Sequence, residues 1–334
     1  MSTALGQSYG TAKVSLPEFV LDQQITLIKS RNDKPELPTG IEILDRHILG
    51  LHRRQVTIIA GRPGEGKSSV ATAIAMHLAD MGKKVLYLSM EMPAGDILER
   101  MMCGFCDIDA GDLQRGKLPS DFDVRVKTFR DFLTRTQLRI KDGWGYDLEE
   151  VRHLLDEESG PHKPDVMVID HVNKVRMGKY PTKREAISEY ASEVERLSIQ
   201  HNMATLLLAQ INRDALKNKN SKPSLENLKE CGDLEVTAAT VIMLQWKTLD
   251  RSQKDMTETA FDFHIEKQRY GQAGTTIRVD FHAAKNKFVW AEDNLFNPTE
   301  NVNGSAPAIP IENLIPQTPQ EEAVKETFRA DING

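Results

Sequence analysis

The run Gly61-Arg62-Pro63-Gly64-Glu65-Gly66-Lys67-Ser68 constrains the chain more than any other feature. It fits the pattern G-x-x-x-x-G-K-[ST], and it lies between an apolar strand-like run, Val56–Ala60, and a helical pattern over Ser68–Met81. Glycines let backbone N–H groups turn inward around phosphate oxygens, and the next helix presents its positive end to them. Lys67 is then placed to reach the β- and γ-phosphates of a nucleoside triphosphate and the Ser68 hydroxyl to hold Mg²⁺, with Ser69 closing the nucleotide-binding run.

The surrounding pattern suits such a loop. From Val56 to Trp290 short β-branched runs alternate with helical ones. The expected strands are Val56–Ala60, Val85–Ser89, Leu138–Ile140, Val166–Asp170, Thr205–Ala209 and Thr240–Leu244, then Phe261–Ile265, Ile277–Phe281 and Phe288–Trp290. The expected helices include Ser68–Met81, a segment opening after Asp147 as N-cap, and Glu185–His201. Strands alternating with helices predict an α/β fold: a mostly parallel sheet covered on both faces. The last three strands lack intervening helices, which predicts an antiparallel extension at one edge.

Composition divides the chain in three. Residues 1–36 form a separate element, where Leu21, Ile25 and Ile28 make a short apolar stripe. That stripe fits either a helix folded back on its own domain or an arm that docks on a neighbouring subunit. Residues 37–294 carry the alternating pattern. In residues 295–334, prolines and acidic residues with few aromatics predict a disordered tail. The net charge of −6 argues at first against nucleic acid, yet residues 291–334 hold eight acidic and two basic side chains and account for all of it. A neutral body can still carry a local basic track. With no apolar run long enough for a bilayer and no signal-peptide pattern in MSTALGQSYG, the expected location is the cytoplasm, without membrane contact. Cys103 and Cys106 form a C-x-x-C, but they fall in an amphipathic helical pattern with no further ligand at short spacing, so they read as core residues.

Further polar residues end the strands. Val166-Met167-Val168-Ile169-Asp170 is an apolar strand closed by a carboxylate that can serve Mg²⁺ beside the loop. Asp170 is followed by His171 and not by a second acid, so the general base must come from elsewhere. Glu91, just past Val85–Ser89, emerges at the same edge of a parallel sheet and can orient a water; as a plain alternative, it complements a helix dipole. Gln210 and Asn212 come after Thr205–Ala209 and can bond the γ-phosphate, or form an ordinary polar turn. Lys267 and Arg269 end another strand and fall on one side of it, facing solvent or reaching a γ-phosphate held by a neighbouring subunit.

Together these residues resemble the motor domain of the DnaB-type replicative DNA helicases, hexameric members of the RecA-like P-loop ATPases. The resemblance covers residues 37–293. It is carried by Leu37-Pro38-Thr39-Gly40-Ile41 with Leu44-Asp45, then GRPGEGKSS, LSMEMPAGDILERMMC, VMVIDHV, LLLAQINRDAL, LKECGDLEVTAATVIML and KQRYGQAGTTIRVDF. Asp170-His171 is closer to phage primase-helicases, and Gln210-Ile211-Asn212-Arg213 to DnaB.

The resemblance implies roles. Lys67 and Ser68 bind ATP, or another NTP or dNTP, with Mg²⁺; Glu91 activates water, Asp170 serves the metal and Gln210 senses the γ-phosphate. Lys267 and Arg269 act on the nucleotide of the next subunit. Loops after Asp170 and Gln210 line a central channel and hold single-stranded DNA. The cations there are Lys174, Arg176, Lys179, Lys183 and Arg184 in the first, and Arg213, Lys217, Lys219 and Lys222 in the second. They suit phosphate contacts without sequence readout. The implied activity is 5′→3′ translocation by a hexamer, with a separate primase, loader or polymerase as partner. A RecA/RadA-like filament-forming recombinase and a KaiC-like regulatory ATPase are the competing readings.

Overall fold

The computed structural model describes residues 17–30, 35–158, 160–211, 222–231, 234–247 and 259–289. The chain divides into two units, residues 1–35 and 36–334. Within the first, the described part is one helix, α1 (Pro17–Ser30), on which Leu21, Ile25 and Ile28 are all exposed. The proposed tail, 295–334, lies outside the described residues.

In the second unit the strands are β1 (Val56–Gly61), β2 (Val85–Ser89), β3 (Leu138–Asp142), β4 (Val166–Asp170), β5 (Ala204–Gln210), β6 (Thr240–Lys247), β7 (Thr259–Gln268), β8 (Thr275–His282) and β9 (Lys287–Val289). They form one sheet in the order β3-β2-β4-β5-β1-β6-β7-β8-β9. The first six pair in parallel and the last three add antiparallel, as the missing helices between them predict. β2 and β4 begin and end where the sequence places them. Most others run longer, because a hydrogen-bonded ladder continues past the apolar residues that announce it.

Period-two alternation divides the core into two layers. Ile59, Tyr87, Val166, Val168, Leu206 and Leu208 face one side, beneath α3 (Lys67–Asp80), α4 (Ala94–Cys106) and α6 (Phe122–Arg135). Ile58, Leu86, Leu88, Met167, Ile169 and Leu207 face the other, beneath α7 (Leu148–Glu157) and α8 (Lys183–Gln200). Asp147 caps α7 in a reciprocal pair with Glu150, and Thr182 accepts from the Glu185 backbone to start α8 two residues before the expected position. A short helix α5 (Ala110–Gln114) and α6 are not announced by the sequence pattern. Among its described residues α6 buries only Phe129 and Phe132, which pack with Phe105 of α4. Among the described residues no helix is long and apolar enough to cross a membrane.

The Leu37–Gly40 and Leu44-Asp45 segments have one physical explanation. Asp45, at the middle of α2 (Glu42–Ile48), accepts hydrogen bonds from the Thr39 backbone and hydroxyl, both at 2.8 Å, and from the Gly40 N–H at 3.1 Å. Gly40 has φ +77 and approaches His77 of α3 so closely that a Cβ would lie 2.5 Å from the ring. Burial lifts the Asp45 carboxyl to about 6 against those hydrogen bonds. A raised folded value means the native protein keeps its proton longer than the unfolded chain, so this group's stabilising share falls as pH rises from about 4 to about 6. Asp45→Ala is therefore expected to cost about 2 kcal/mol at pH 4. The cost should be smaller at pH 7; urea unfolding at the two pH values checks both magnitude and sign.

Candidate active site

Parallel strands that stop together gather their succeeding loops at one edge of the sheet. Gly61 pairs with Gln210, and Ser89 with both Asp170 and Asp142. The phosphate loop, Glu91, Asp170 and Gln210 are thereby brought to that carboxyl-terminal edge, the usual place for a ligand crevice in such sheets.

Within the loop, Gly64 and Gly66 have φ of +79 and +76, a left-handed conformation that a side chain would strain. Gly66 stands at the N-cap of α3, and a Cβ there would lie 2.5 Å from Phe261 Cζ on β7. Glu65 is buried. Its carboxylate accepts the Arg62 N–H at 2.8 Å and lies 3.6 Å from the Arg62 Nε. Burial raises the Glu65 carboxyl, opposed by that bond, by the Arg62 and Lys67 charges and by a Trp246 backbone bond. Its side chain thus braces the loop from inside. Arg62, Pro63, Ser68 and Ser69 are half-buried and Gly64 is exposed.

Lys67 is 7% exposed, and its Nζ donates to the Gly61 and Arg62 carbonyls at 3.0 and 2.9 Å. Burial lowers its pKa, while Asp170, then Glu65 and Glu91, pull it back up. Alternation from Val166 and Val168 sends the Asp170 carboxylate to the α3 side of the sheet, where it is buried and accepts the Tyr87 hydroxyl at 2.8 Å. Burial and then Asp170 push the Tyr87 phenol far above its ordinary range, so it remains a donor.

Glu91 lies in the bend after β2. The buried His171 donates from Nε2 to Glu91 Oε2 at 2.8 Å, and Lys174 Nζ lies 3.1 Å from Oε1. Burial would raise the Glu91 carboxyl, but hydrogen bonds from Lys174 and His171 outweigh it and hold the group below its usual value. Gln210 is fixed through its backbone: its N–H donates to Asn173 Oδ1 at 2.7 Å, and Asn173 Nδ2 donates to its carbonyl at 3.1 Å. Tyr87, His171 and Asn173 thus belong to the site although the sequence pattern assigns them no role. His171 is visible as the non-acid after Asp170; nothing in the sequence marks the other two.

Lys267 and Arg269 lie elsewhere. β7 runs antiparallel to β6, so its end meets the start of the parallel strands: Gln268 pairs with Thr240, which pairs with Thr57. From Thr57 to Gly61 the strand rises roughly 13 Å. The strand ends at Gln268, one residue short of Arg269, which corrects the expectation that both cations sit on it. A register shift also leaves Glu266 opposite no residue, so Ile265 pairs with Ile242 and Lys267 with Val241. That extra residue turns Lys267 to the side of α9 (Leu234–Thr237), where Nζ donates to the Glu235 carbonyl at 2.6 Å. Arg269 lies 3.8 Å from Glu195 on α8, so the two cations share a face after all.

Of the cations after Asp170, Lys174 holds Glu91; Arg176 donates to the Gly145 carbonyl and pairs with Glu150; and Lys183 donates to the Val175 carbonyl. These three are tied into the fold by partners within the chain. Lys179 and Arg184 are exposed. Lys222 pairs with Glu266 at 3.0 Å, near the opposite edge. Asn212, Arg213, Lys217 and Lys219 lie outside the described residues. Cys103 and Cys106 are buried in α4, and burial pushes both thiols up to about 11, which suits packing and not thiolate chemistry.

Residues 36–290 match the family described as the DnaB-like helicase C terminal domain, over most of the chain. The chain belongs to that family. It is 27% identical over 265 residues to the replicative DNA helicase DnaC of Bacillus subtilis, covering 78% of this chain and 57% of that protein. With the replicative DNA helicase DnaB of Geobacillus stearothermophilus it shares 28% identity over 262 residues, covering 76% and 56%. A probable plasmid replicative DNA helicase of Chlamydia psittaci is 27% identical over 255 residues, covering 75% and 55%. The chain thus spans about half the length of these relatives. Among solved structures, a DnaB-like replicative helicase studied with its primase interactions has a TM-score of 0.73 at 21% identity, covering 82% of this chain and 68% of that one. A solved ATPase domain, covered in full by 84% of this chain, has a TM-score of 0.75 at 21% identity. These likenesses establish the RecA-like fold of the DnaB ATPase domain.

The loop geometry yields a direct test. Gly66→Ala places a methyl group against Phe261 at a strained φ, and is expected to lower stability by roughly 1–3 kcal/mol and to weaken nucleotide binding at least about tenfold. Thermal melting and titration with a fluorescent nucleotide read the two effects separately.

Proposed function

We propose that the chain is the motor of a ring-forming, ATP-dependent replicative DNA helicase, acting in the cytoplasm of a bacterial or phage-infected cell. The observation that carries this reading is the separation of two complementary half-sites. The phosphate loop, Glu91, Asp170 and Gln210 occupy one edge of the sheet, while Lys267 and Arg269 occupy the other. A cation at the far edge does not reach its own chain's phosphate loop. It serves a nucleotide only when a second copy presents that nucleotide to it. Head-to-tail use of two different surfaces generates rings or filaments. Family membership favours the ring over a recombinase filament, and the relatives named as replicative helicases favour DNA over a purely regulatory role.

The residues divide the work accordingly. Loop backbone N–H groups and Lys67 hold the triphosphate. The charges of Asp170 and Glu91 act on that ammonium, so a polyphosphate entering here meets the field of these carboxylates and calls for a divalent cation. Ser68 and Asp170 offer the hard oxygen donors that Mg²⁺ prefers, and the ion would neutralise charge on the phosphates. Glu91, kept ionised by Lys174 and His171, orients the attacking water and accepts its proton. Gln210 stands next to Gly61, in position to register whether the terminal phosphate is present. Lys267 and Arg269 stabilise charge in the neighbouring site. Exposed Lys179 and Arg184 offer phosphate contacts to single-stranded DNA, and a separate primase, loader or polymerase completes the assembly.

Lys67→Ala is expected to abolish hydrolysis. Arg269→Ala should lower kcat by about 10³-fold while leaving nucleotide affinity within about threefold, because the lost charge acts on a neighbour. Steady-state turnover with and without single-stranded DNA, beside equilibrium nucleotide titration, decides the matter. Normal DNA-stimulated turnover in Arg269→Ala would refute the shared site, and long filaments on DNA without closed rings would favour the recombinase.

A further inference from the structure

Trp144 has the greatest exposure, 77%, among the large apolar side chains of the described residues. It lies between Gly143 and Gly145 in the loop after β3, and that loop is anchored on both sides. Gly143 N–H donates to the Ser89 carbonyl at 3.1 Å, at the tip of β2. Arg176 Nε donates to the Gly145 carbonyl at 2.6 Å. Gly145 has φ +64 and packs so closely that a Cβ would lie 2.5 Å from the Lys174 carbonyl oxygen. The indole is therefore an exposed aromatic face held out on a fixed mount.

Lys174 connects that face to the candidate general base. Its Nζ lies 5.2 Å from the centroid of the Trp144 ring and 3.1 Å from Glu91 Oε1. One ammonium thus spans an indole and a carboxylate, and Glu91 is engaged at its second oxygen by His171. An exposed aromatic beside a basic segment is the usual platform for a base of a single strand, with the neighbouring cations taking the backbone phosphates. Lys179 and Arg184, both exposed, belong to the same segment as Lys174.

We propose that Trp144 is a stacking contact for a base of single-stranded DNA, and that Lys174 couples this contact to hydrolysis by leaving Glu91 for a DNA phosphate. This rests on the helicase-motor reading of the site and adds a device that links its two activities. In the absence of DNA, Lys174 restrains the carboxylate that must turn toward water. A base seated on the indole competes for the ring, and a phosphate competes for the ammonium. Glu91 then keeps His171 as its partner and becomes able to orient the nucleophile. Lys174 is thus a positioning residue, not a catalytic one.

Two measurements on the full chain test it. The first is tryptophan emission on adding oligo(dT) in the presence of a non-hydrolysable ATP analogue. The expected result is quenching in the wild type that disappears in Trp144→Phe, with oligo(dT) affinity falling on the order of tenfold to a hundredfold in Trp144→Ala. Quenching that persists in Trp144→Phe, or that the ATP analogue produces without DNA, overturns the proposal. The second is ATP turnover with and without oligo(dT). Lys174→Ala, checked for folding by circular dichroism, is expected to raise DNA-free turnover about twofold to fivefold and to shrink stimulation by DNA. Lys174→Arg, which keeps a cation beside Glu91, should restore both toward wild type. DNA-free turnover that stays level or falls in Lys174→Ala overturns the restraint. A wild-type chain that neither binds oligo(dT) nor responds to it refutes the helicase reading itself; a responsive wild type with unresponsive variants refutes this inference alone.

Discussion

Burying an ammonium is the constraint on which the rest of the site depends. Lys67 is nearly inaccessible, and a charge taken out of water without compensation costs several kcal/mol. The fold compensates it with two loop carbonyls and with the fields of Asp170, Glu65 and Glu91. Those carboxylates come from three separate places in the chain. They converge because β1, β2 and β4 run parallel and stop at a common edge. The parallel sheet is thus needed for the loop as much as the loop is for chemistry. In turn, two of the acids whose fields act on Lys67, Asp170 and Glu91, are those to which the proposed function gives the metal and the attacking water.

That logic explains which features can be read from the sequence. The phosphate loop is legible because backbone conformation dictates residue type: only glycine tolerates the φ of Gly64 and Gly66 without strain, and Gly66 has Phe261 where a Cβ would stand. The strands are legible because burial on both faces demands continuous apolar runs, as in Val166–Ile169. Asp170 is placed by parity alone, since a residue two beyond Val168 must face α3. Asp147 before α7 is legible for a local reason too, because a capping box is a contact between residues three apart.

The illegible features depend on contacts between distant segments. Tyr87 looks like one more apolar strand residue until β4 brings Asp170 beside it, 83 positions away. Asn173 looks like a turn residue until its amide is seen bonding the Gln210 backbone in both directions. Lys174, Arg176 and Lys183 read in the sequence as cations offered to a nucleic-acid backbone, since a cation's sequence neighbours do not reveal where a flexible side chain ends. Their partners are a carboxylate past β2, a capping glutamate on α7 and a carbonyl at the loop's own start. Charge counting therefore overstates the free positive surface of this segment. The segment keeps some exposed cations, but most of its charge already serves to assemble the site.

The bulge in β7 is a further feature that depends on contacts between distant segments. Strict alternation from Phe261, Phe263 and Ile265 would send Lys267 into the layer beneath α3, among core residues where an ammonium has no counter-charge. Inserting Glu266 without a cross-strand partner reverses the parity, and Lys267 emerges beside α9 while Arg269 reaches toward α8. Two cations are thereby delivered to one face at the sheet edge farthest from their own phosphate loop. An ion pair across the 3.8 Å between Arg269 and Glu195 is half-exposed and worth little to stability. The bulge disrupts the ladder locally, and what accompanies it is the placement of both cations on the side of α8 and α9. The proposed function gives that placement a purpose, since a neighbouring subunit's triphosphate would offer the two cations a stronger counter-charge than the Glu235 carbonyl and the Glu195 carboxylate they meet within the chain.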